Sequence, residues 1–236
     1  MTTVDPRQPV VVLGGFLITA EAYAPMAAWL KQQGVLDAHV VSVSRLEWLM
    51  TTWWFGWRRV LDRVDGLVQQ LQSSSPTGRV TLIGHSSGGV MLRLYLSDQP
   101  VLGRGYCGAT RCNRLVTLGS PHQAVRATPL RLMVDRRLPG CYVPGVDYVA
   151  VAGELNLNGE NASTFSRRIA SGSYKSISGD AELRGDGLVP VGSALLEGAR
   201  HLIQAETAHG GFFGKIWYGS VQRLESWWIF VITDQT

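Results

Sequence analysis

The sequence is poor in cysteine and has no long hydrophobic run. Its 236 residues include three cysteines, Cys107, Cys112 and Cys141, without the paired spacing of metal ligands. Free thiols in a reducing compartment are the simplest interpretation, so we expect a cytoplasmic protein; a Cys107–Cys112 disulfide is the alternative. The apolar runs fall well short of the roughly 18 to 20 residues of a membrane-spanning helix, and the N-terminus does not resemble a secretion signal.

Charged residues are also a minor part of the chain. Charged residues make up 17% of the chain and hydrophobic residues 45%, which is ordinary for a globular protein and excludes a disordered or fibrous one. The formal net charge is +4, but the arginines are scattered and no nucleic-acid motif accompanies them, so we expect no nucleic-acid partner. From the length of the chain we expect residues 1–236 to form a single domain.

Short β-branched runs alternate with longer amphipathic segments, the pattern of parallel strands joined by helical crossovers. The near-continuous apolar content of the strands fits a sheet covered on both faces. Strands are predicted at residues 10–13, 39–43, 80–83, 115–118, 148–151 and 202–205, and helices at 21–33, 56–72, 88–97 and 220–230. Residues 121–144 and 153–187 are irregular, and we expect them to form loops that rim a site.

The most informative motif is Gly-His-Ser-Ser-Gly at residues 84–88, between a predicted strand and a predicted helix. In that context Gly-x-Ser-x-Gly is typical of the nucleophile elbow of α/β-hydrolases, which holds the serine hydroxyl at the mouth of the sheet. Ser86 is therefore the candidate nucleophile, and a glycine-rich connection without chemistry is the alternative. We expect His85, directly before it, to have a packing or hydrogen-bonding role.

A serine nucleophile needs a histidine to take its proton and a carboxylate to orient that histidine. In this fold the acid and then the histidine follow the serine along the chain. His209, just past the last predicted strand, has the required order and sheet edge, and His122 is the alternative base. Asp186, between two glycines, is the leading acid; Asp180 and Glu182 are alternatives, and an Asx turn would be a purely structural role for Asp186.

Acyl transfer also needs backbone N–H groups that stabilise the developing oxyanion. The amide of Ser87, directly after the nucleophile, is the first predicted donor. The second is the amide of Phe16, or that of Leu17, where the Gly14-Gly15 pair lets the backbone turn toward the site. The glycine pair lacks the remaining spacing of a dinucleotide motif, and we expect neither a metal nor an organic cofactor.

Four tryptophans fall within residues 48–57, after the second predicted strand. One interpretation is a cap packed over the end of the sheet. The other is an acyl pocket or a membrane-interface patch, which makes Trp53 and Trp54 candidate substrate-binding residues, together with His122 near the mouth. A peripheral contact with a membrane is then expected. The aromatic residues at 217–218 and 227–228 are expected in the core.

Taken together, these motifs resemble the lipase-like α/β-hydrolases of cyanobacteria and plant chloroplasts. The resemblance rests on residues 12–16, 84–89, 115–122, 148–153, 185–190 and 217–220. It implies an α/β-hydrolase fold, an esterase or lipase acting on acyl lipids such as galactolipids, and a triad of Ser86, Asp186 and His209. Gly14 departs from the histidine of many lipases, and Ser120 from the commoner threonine. An acyltransferase with the same triad and a non-catalytic acyl-binding protein are the alternatives.

Overall fold

One parallel sheet of six strands organises the chain, in the order β2-β1-β3-β4-β5-β6. The computed structural model describes residues 4–100 and 103–233. The strands are β1 (Val10–Leu13), β2 (Ala38–Val40), β3 (Val80–His85), β4 (Cys112–Leu118), β5 (Asp147–Glu154) and β6 (Arg200–Ala205). The strand order reverses between β1 and β3, and in open parallel sheets the crevice at such a reversal is where ligands bind.

Helices cover both faces of this sheet. They are α1 (Ala24–Gln32), α2 (Arg45–Met50), α3 (Trp54–Ser74), α4 (Ser87–Leu96), α5 (Pro129–Arg137), α6 (Thr164–Ser178), α7 (Val191–Ala194) and α8 (Val221–Ile232). In β1, Val11 and Leu13 pack into the core formed with α3 and α4. Val10 and Val12 point to the other face and pack with α1 and α8. The predicted parallel sheet is therefore confirmed; its burial on both faces holds for β1, β3 and β4, whereas alternate residues of the edge strand β6, such as Ile203, are exposed.

The second aromatic cluster lies in the core beneath α8. Trp227 and Trp228 are buried in the same cluster as Tyr218, and Trp217 packs against it while partly exposed. The expectation of a core role is confirmed for this cluster.

The two segments expected to be irregular each contain a helix, so that part of the prediction is wrong. Proline at the first position of α5 presets the helical φ angle and needs no hydrogen bond there. At the start of α6 the Ser163 hydroxyl accepts a hydrogen bond from the Ser166 amide, and Gly179 ends the helix in a left-handed conformation. The glycine, serine and arginine content of these segments concealed these terminal signals.

Two further differences concern the region after β2. The strand ends at Val40, although it was expected to continue to residue 43. The short helix α2 follows, and its first turn is held by a capping box in which Ser44 and Glu47 bond to each other's backbone amides. The tryptophan run is thereby divided between α2 and the start of α3.

All three cysteines are free thiols, so the alternative disulfide between Cys107 and Cys112 is not formed. Within residues 4–100 and 103–233, no helix has both the length and the apolar character that crossing a bilayer would require.

Candidate active site

Ser86 occupies a strained turn between β3 and α4. Its φ angle is 53° and its ψ angle −127°, a conformation that residues with a side chain rarely adopt. The close approach of the neighbouring loop explains the glycine at 88, because a Cβ there would lie 2.3 Å from the Gly14 carbonyl oxygen. The sharp strand-to-helix turn expected from the sequence is present.

Three distant side chains form one hydrogen-bonded chain at this turn. The Nε2 atom of His209 lies 2.9 Å from the Ser86 hydroxyl, and its Nδ1 atom lies 2.8 Å from Asp186 Oδ2. All three are at least nine-tenths buried. With the Nδ1 proton directed at the carboxylate, the Nε2 lone pair faces the serine hydroxyl, as a general base requires.

Asp186 uses its two oxygens for different tasks. Oδ1 accepts the backbone amides of Leu188 and Val189 at 3.0 and 2.8 Å, which is the Asx-type turn considered from the sequence. Oδ2 faces His209. Asp186 therefore makes both the Asx-type turn and the contact with His209. The alternative acids Asp180 and Glu182 are exposed, and the Asp180 carboxylate accepts the Glu182 amide instead.

Tyr218 is a member of the site that sequence reasoning placed only in the core. Its hydroxyl donates to Asp186 Oδ2 at 2.8 Å and accepts the Gly153 amide at 2.6 Å. Burial and the adjacent carboxylate raise the pKa of Tyr218 well above its ordinary value, so the hydroxyl keeps its proton. The available signal in the sequence was that this tyrosine follows the candidate base His209 closely along the chain, which could have indicated a place near the site.

A second buried network joins the loop after β1 to the backbone of His209. The Gly15 amide donates to the Tyr23 hydroxyl at 2.9 Å, and that hydroxyl lies 2.7 Å from His85 Nδ1. His85 Nε2 lies 2.7 Å from the carbonyl oxygen of His209. Since a carbonyl only accepts, His85 carries its proton on Nε2, and Tyr23 donates to Nδ1.

Burial, with the nearby His209 ring, lowers the pKa of His85 well below its usual value, so the ring is neutral. The hydrogen-bonding role expected for His85 is what the structure shows.

His122 does not join this group. It is buried, with Nε2 3.0 Å from the Thr117 hydroxyl and Nδ1 3.4 Å from an Arg93 guanidinium nitrogen. Neither partner belongs to the Ser86 chain of hydrogen bonds. His122 therefore lacks the geometry of the alternative base, because its two ring nitrogens are engaged elsewhere.

The predicted oxyanion donors lie on either side of the turn. Ser87 is the first residue of α4, where a backbone N–H has no acceptor within the helix. On the other side, a Cβ at Gly15 would lie 2.8 Å from the Ser86 Cβ, so the loop that carries Phe16 passes directly against the nucleophile. Leu17 follows with a φ angle of 62°, which turns the chain sharply.

The four tryptophans after β2 divide into two kinds. Trp48 and Trp57 are buried, as a cap over the sheet requires. Trp53 and Trp54 are 57% and 55% exposed, and Phe55 beside them is 47% exposed. The Phe55 ring stacks on Trp53 and meets Trp54 edge-on. Trp48 and Trp57 thus fit the cap interpretation, and the acyl-pocket or membrane-interface role of Trp53 and Trp54 stays a prediction.

No metal centre is apparent in the part of the chain that the structure describes, since no three His, Cys, Asp or Glu side chains there are grouped to hold an ion. A parallel sheet with a serine elbow at its reversal point, facing a histidine and a carboxylate, defines a hydrolase of the esterase and lipase type.

The chain belongs to the palmitoyl protein thioesterase family, whose model matches residues 9–167. This match includes the Ser86 turn and the loop after β1, and it ends before Asp186 and His209. No curated protein matches the chain.

Solved structures share the fold at low sequence identity. The mature lipase BlEst2 of Bacillus licheniformis is similar with a TM-score of 0.63 and 16% identity, over 98% of this chain and 94% of that chain. The product of the lin2722 gene of Listeria innocua gives a TM-score of 0.58 and 15% identity, over 97% and 95%. Esterase 2 of Thermogutta terrifontis gives 0.55 and 10% identity, over 97% and 85%. The predicted α/β-hydrolase fold is confirmed.

Proposed function

We propose that the protein hydrolyses acyl esters through an acyl-enzyme on Ser86. The observation that carries this proposal is the continuous hydrogen-bonded chain from the Ser86 hydroxyl through His209 to Asp186, at 2.9 and 2.8 Å. His209 takes the hydroxyl proton as Oγ attacks the carbonyl carbon, and then gives that proton to the leaving group. Asp186 holds the imidazole in one tautomer and stabilises its protonated form.

The second half of the reaction uses the same groups. His209 takes a proton from water, the resulting hydroxide attacks the acyl carbon, and the acid leaves as Ser86 regains its proton. The amides of Phe16 and Ser87 are the proposed oxyanion donors, and the single domain carries every group that this sequence of steps needs.

The acyl group is the proposed basis of recognition. Trp53 and Trp54 present an exposed aromatic surface where α2 is joined to α3, and aromatic side chains of this kind favour the boundary of a lipid bilayer. We therefore propose a peripheral membrane contact and glycerolipid substrates, with galactolipids in the first place, as in the lipase-like enzymes of cyanobacteria and chloroplasts that the sequence resembles. His122 is left out of this ester site, since its contacts lie with Thr117 and Arg93.

Thioesters are the second candidate substrate, because the matched family is that of palmitoyl protein thioesterases. The same serine attack serves both classes, and only the leaving atom changes from oxygen to sulfur.

Labelling of the folded protein with a fluorophosphonate, together with turnover of octanoyl esters of p-nitrophenol and of the matching thioester, tests the proposal. Wild-type protein is expected to be labelled at residue 86. Ser86→Ala should lose labelling and at least about 10³-fold in kcat. Ser171→Ala, on the exposed side of α6, is the matched control and should keep both.

Product analysis by mass spectrometry after incubation with a mixed lipid extract then identifies the substrate class. Free fatty acid as the product supports a hydrolase. Exclusive transfer of the acyl group to an alcohol would instead identify the protein as an acyltransferase. Full activity of Ser86→Ala would remove Ser86 from the mechanism, and no labelling of folded wild-type protein would favour a protein that only binds acyl chains. Either result overturns the proposed mechanism.

A further inference from the structure

A cavity of about 710 Å³ lies between α4, α5, the end of α6 and α7. Its lining includes Arg93, His122 and Asp135, and none of Ser86, Asp186 or His209. The groups that line it are therefore not used by the proposed ester chemistry.

The inner wall of this cavity holds an arginine whose hydrogen-bonding capacity is only partly met. The Arg93 side chain is 3% exposed and lies 3.7 Å from an Asp135 oxygen. Its terminal nitrogens contact the Leu138 carbonyl oxygen and the His122 ring. Its Nε atom is buried without a partner. A buried guanidinium with an unused donor is costly unless something accepts from it.

The local charge is unbalanced in the positive direction. Arg131 on α5 is a second arginine that interacts with Asp135; it donates one hydrogen bond to the Pro121 carbonyl oxygen, and its buried Nε has no hydrogen-bond partner. Asp135 is the carboxylate that interacts with both arginines, and burial raises its pKa above the ordinary value. Burial lowers the pKa of both arginines, which is the direction expected when cations lack compensation.

The mouth of the cavity continues this pattern. Arg136 and Arg184 line it from exposed positions, and Arg184 is paired with Glu154. Glu197 is an exposed acid on the same rim. With Glu154 and the neighbouring Arg131 counted, four arginines face the three acids Asp135, Glu154 and Glu197, so the surroundings of an incoming anion carry a net positive charge.

Apolar side chains also line the cavity. They are Val125, Leu132, Ile177, Leu183 and Leu196. Val125 is 67% exposed at the rim. A lining that combines arginines with apolar side chains matches a molecule that has an oxyanion at one end and a hydrocarbon chain at the other.

We propose that this cavity is a second binding site, for an amphiphilic anion whose carboxylate or phosphate lies against Arg93 and Arg136 and whose alkyl chain lies along Leu132, Ile177 and Leu183. It goes beyond the proposed function, because it requires no turnover at Ser86.

Isothermal titration on protein with and without a fluorophosphonate on Ser86 tests this site, with decanoate, decyl phosphate, uncharged decanol and inorganic phosphate as probes. In the blocked protein we expect one molecule of decanoate or decyl phosphate to bind, at least tenfold more tightly than decanol or inorganic phosphate. The preference between the two anions identifies the head group as carboxylate or phosphate.

Arg93→Met should weaken binding of the charged probes at least tenfold. Because Arg93 is buried and this variant can lose stability, Val125→Glu is the second variant: it adds a negative charge at the exposed rim and should weaken binding to a similar degree. Arg168→Met, an exposed change on α6 outside the cavity lining, is the control and should bind as wild type does.

Three results would overturn the proposal: no binding of either charged probe to the blocked protein, equal affinity for decanol, or unchanged affinity in both Arg93→Met and Val125→Glu. Fluorophosphonate labelling of Ser86 reports on the proposed ester chemistry independently of these titrations.

Discussion

Tyr23 connects the two sides of the proposed site through one hydroxyl group. It accepts the Gly15 amide on the loop that carries the proposed oxyanion donor, and it donates to His85, which in turn donates to the backbone of His209. The position of that loop and the position of the proposed base are therefore coupled by three hydrogen bonds, all buried.

Tyr23→Phe removes this coupling and little else. The Gly15 amide and His85 Nδ1 would be left buried without partners, which costs about 1–3 kcal/mol for each such group. We expect a lower free energy of unfolding in urea and a kcat reduced about tenfold, with KM within twofold, because the oxyanion donor matters mainly in the transition state.

Binding of a boronic acid that mimics the tetrahedral intermediate shows whether Tyr23 positions the oxyanion donor or only stabilises the fold. Tyr23→Phe should weaken boronate binding by about the same factor as kcat and leave the KM of the ester unchanged. Equal boronate affinity in the two proteins would contradict the coupling.

Two buried histidines make stability depend on pH. Burial lowers the pKa of His85 and of His122 well below 6.5, so both are neutral in the folded protein and gain protons on unfolding. The unfolded state then binds more protons below about pH 6.5, and stability is present above that pH and is lost as pH falls toward the folded pKa values.

We therefore expect the free energy of unfolding to decrease from about pH 6.5 downward, with a slope of at most about 1.4 kcal/mol per pH unit for each histidine. Urea denaturation at several pH values between 5 and 8 measures this slope, and His122→Gln should reduce it. A free energy of unfolding that stays constant across that range would be inconsistent with two neutral buried histidines.

Among the elements, the junction between α2 and α3 has the most exposed aromatic surface. Phe55 contacts both Trp53 and Trp54 there, whereas Trp48 and Trp57 on either side are buried. The junction is therefore anchored at both ends and free on its outer face.

Replacing Trp53 and Trp54 together by serine should lower the fraction of protein that co-sediments with anionic lipid vesicles at least fivefold. The midpoint of urea denaturation should change little, since both side chains are more than half exposed. Ile229→Ser is the control: it removes a 51% exposed apolar side chain on α8, away from this junction. Unchanged co-sedimentation of the double variant would exclude this surface as the membrane contact.

Sequence patterns predicted the strands better than the helices outside the core. Apolar runs reveal β1 and β3 because both faces of those strands are buried. The helix α5 has weak apolar periodicity, so only Pro129 at its start could have indicated it. The helix α6 is amphipathic, and that pattern together with Ser163 and Gly179 at its ends was the signal missed in a serine-rich segment.

At the scale of the whole molecule, the two edges of the sheet have different chemistry. The carboxyl edge carries Ser86 after β3. At the amino edge, Asp147 at the start of β5 accepts hydrogen bonds from Arg114 on β4 at 2.6 Å and Arg200 on β6 at 2.9 Å. One carboxylate thus ties three neighbouring strands together.

Asp147→Asn should lower the free energy of unfolding and leave ester turnover nearly unchanged. The buried Arg114 and the partly buried Arg200 would lose this counter-charge. Loss of one partner costs about 3–5 kcal/mol in fully buried pairs, and because Asp147 is partly exposed we expect about 2–3 kcal/mol here. Thermal and urea denaturation measure it. Ester turnover at temperatures where the variant is folded should stay within twofold of wild type, and a larger change in kcat would mean that the amino edge influences the site.

The sequence carried enough information to place Ser86, Asp186 and His209 at one edge of the sheet, because chain order and strand ends determine that edge. It could not reveal the roles of Tyr23 and Tyr218. Their hydroxyls contact partners 62 and 32 residues away in the chain, and a tyrosine with a buried hydroxyl has the same local pattern as a core aromatic residue.

The hydroxyl of Ser86 and the imidazole beside it are separated by 123 residues of chain. Their encounter exists only while the entire sheet is assembled, from the elbow after β3 to the segment beyond β6. Covalent capture of this serine by a phosphonate reagent thus doubles as a gauge of native assembly: a cell lysate warmed in steps would report, by the fading of one labelled band, the temperature at which the molecule comes apart.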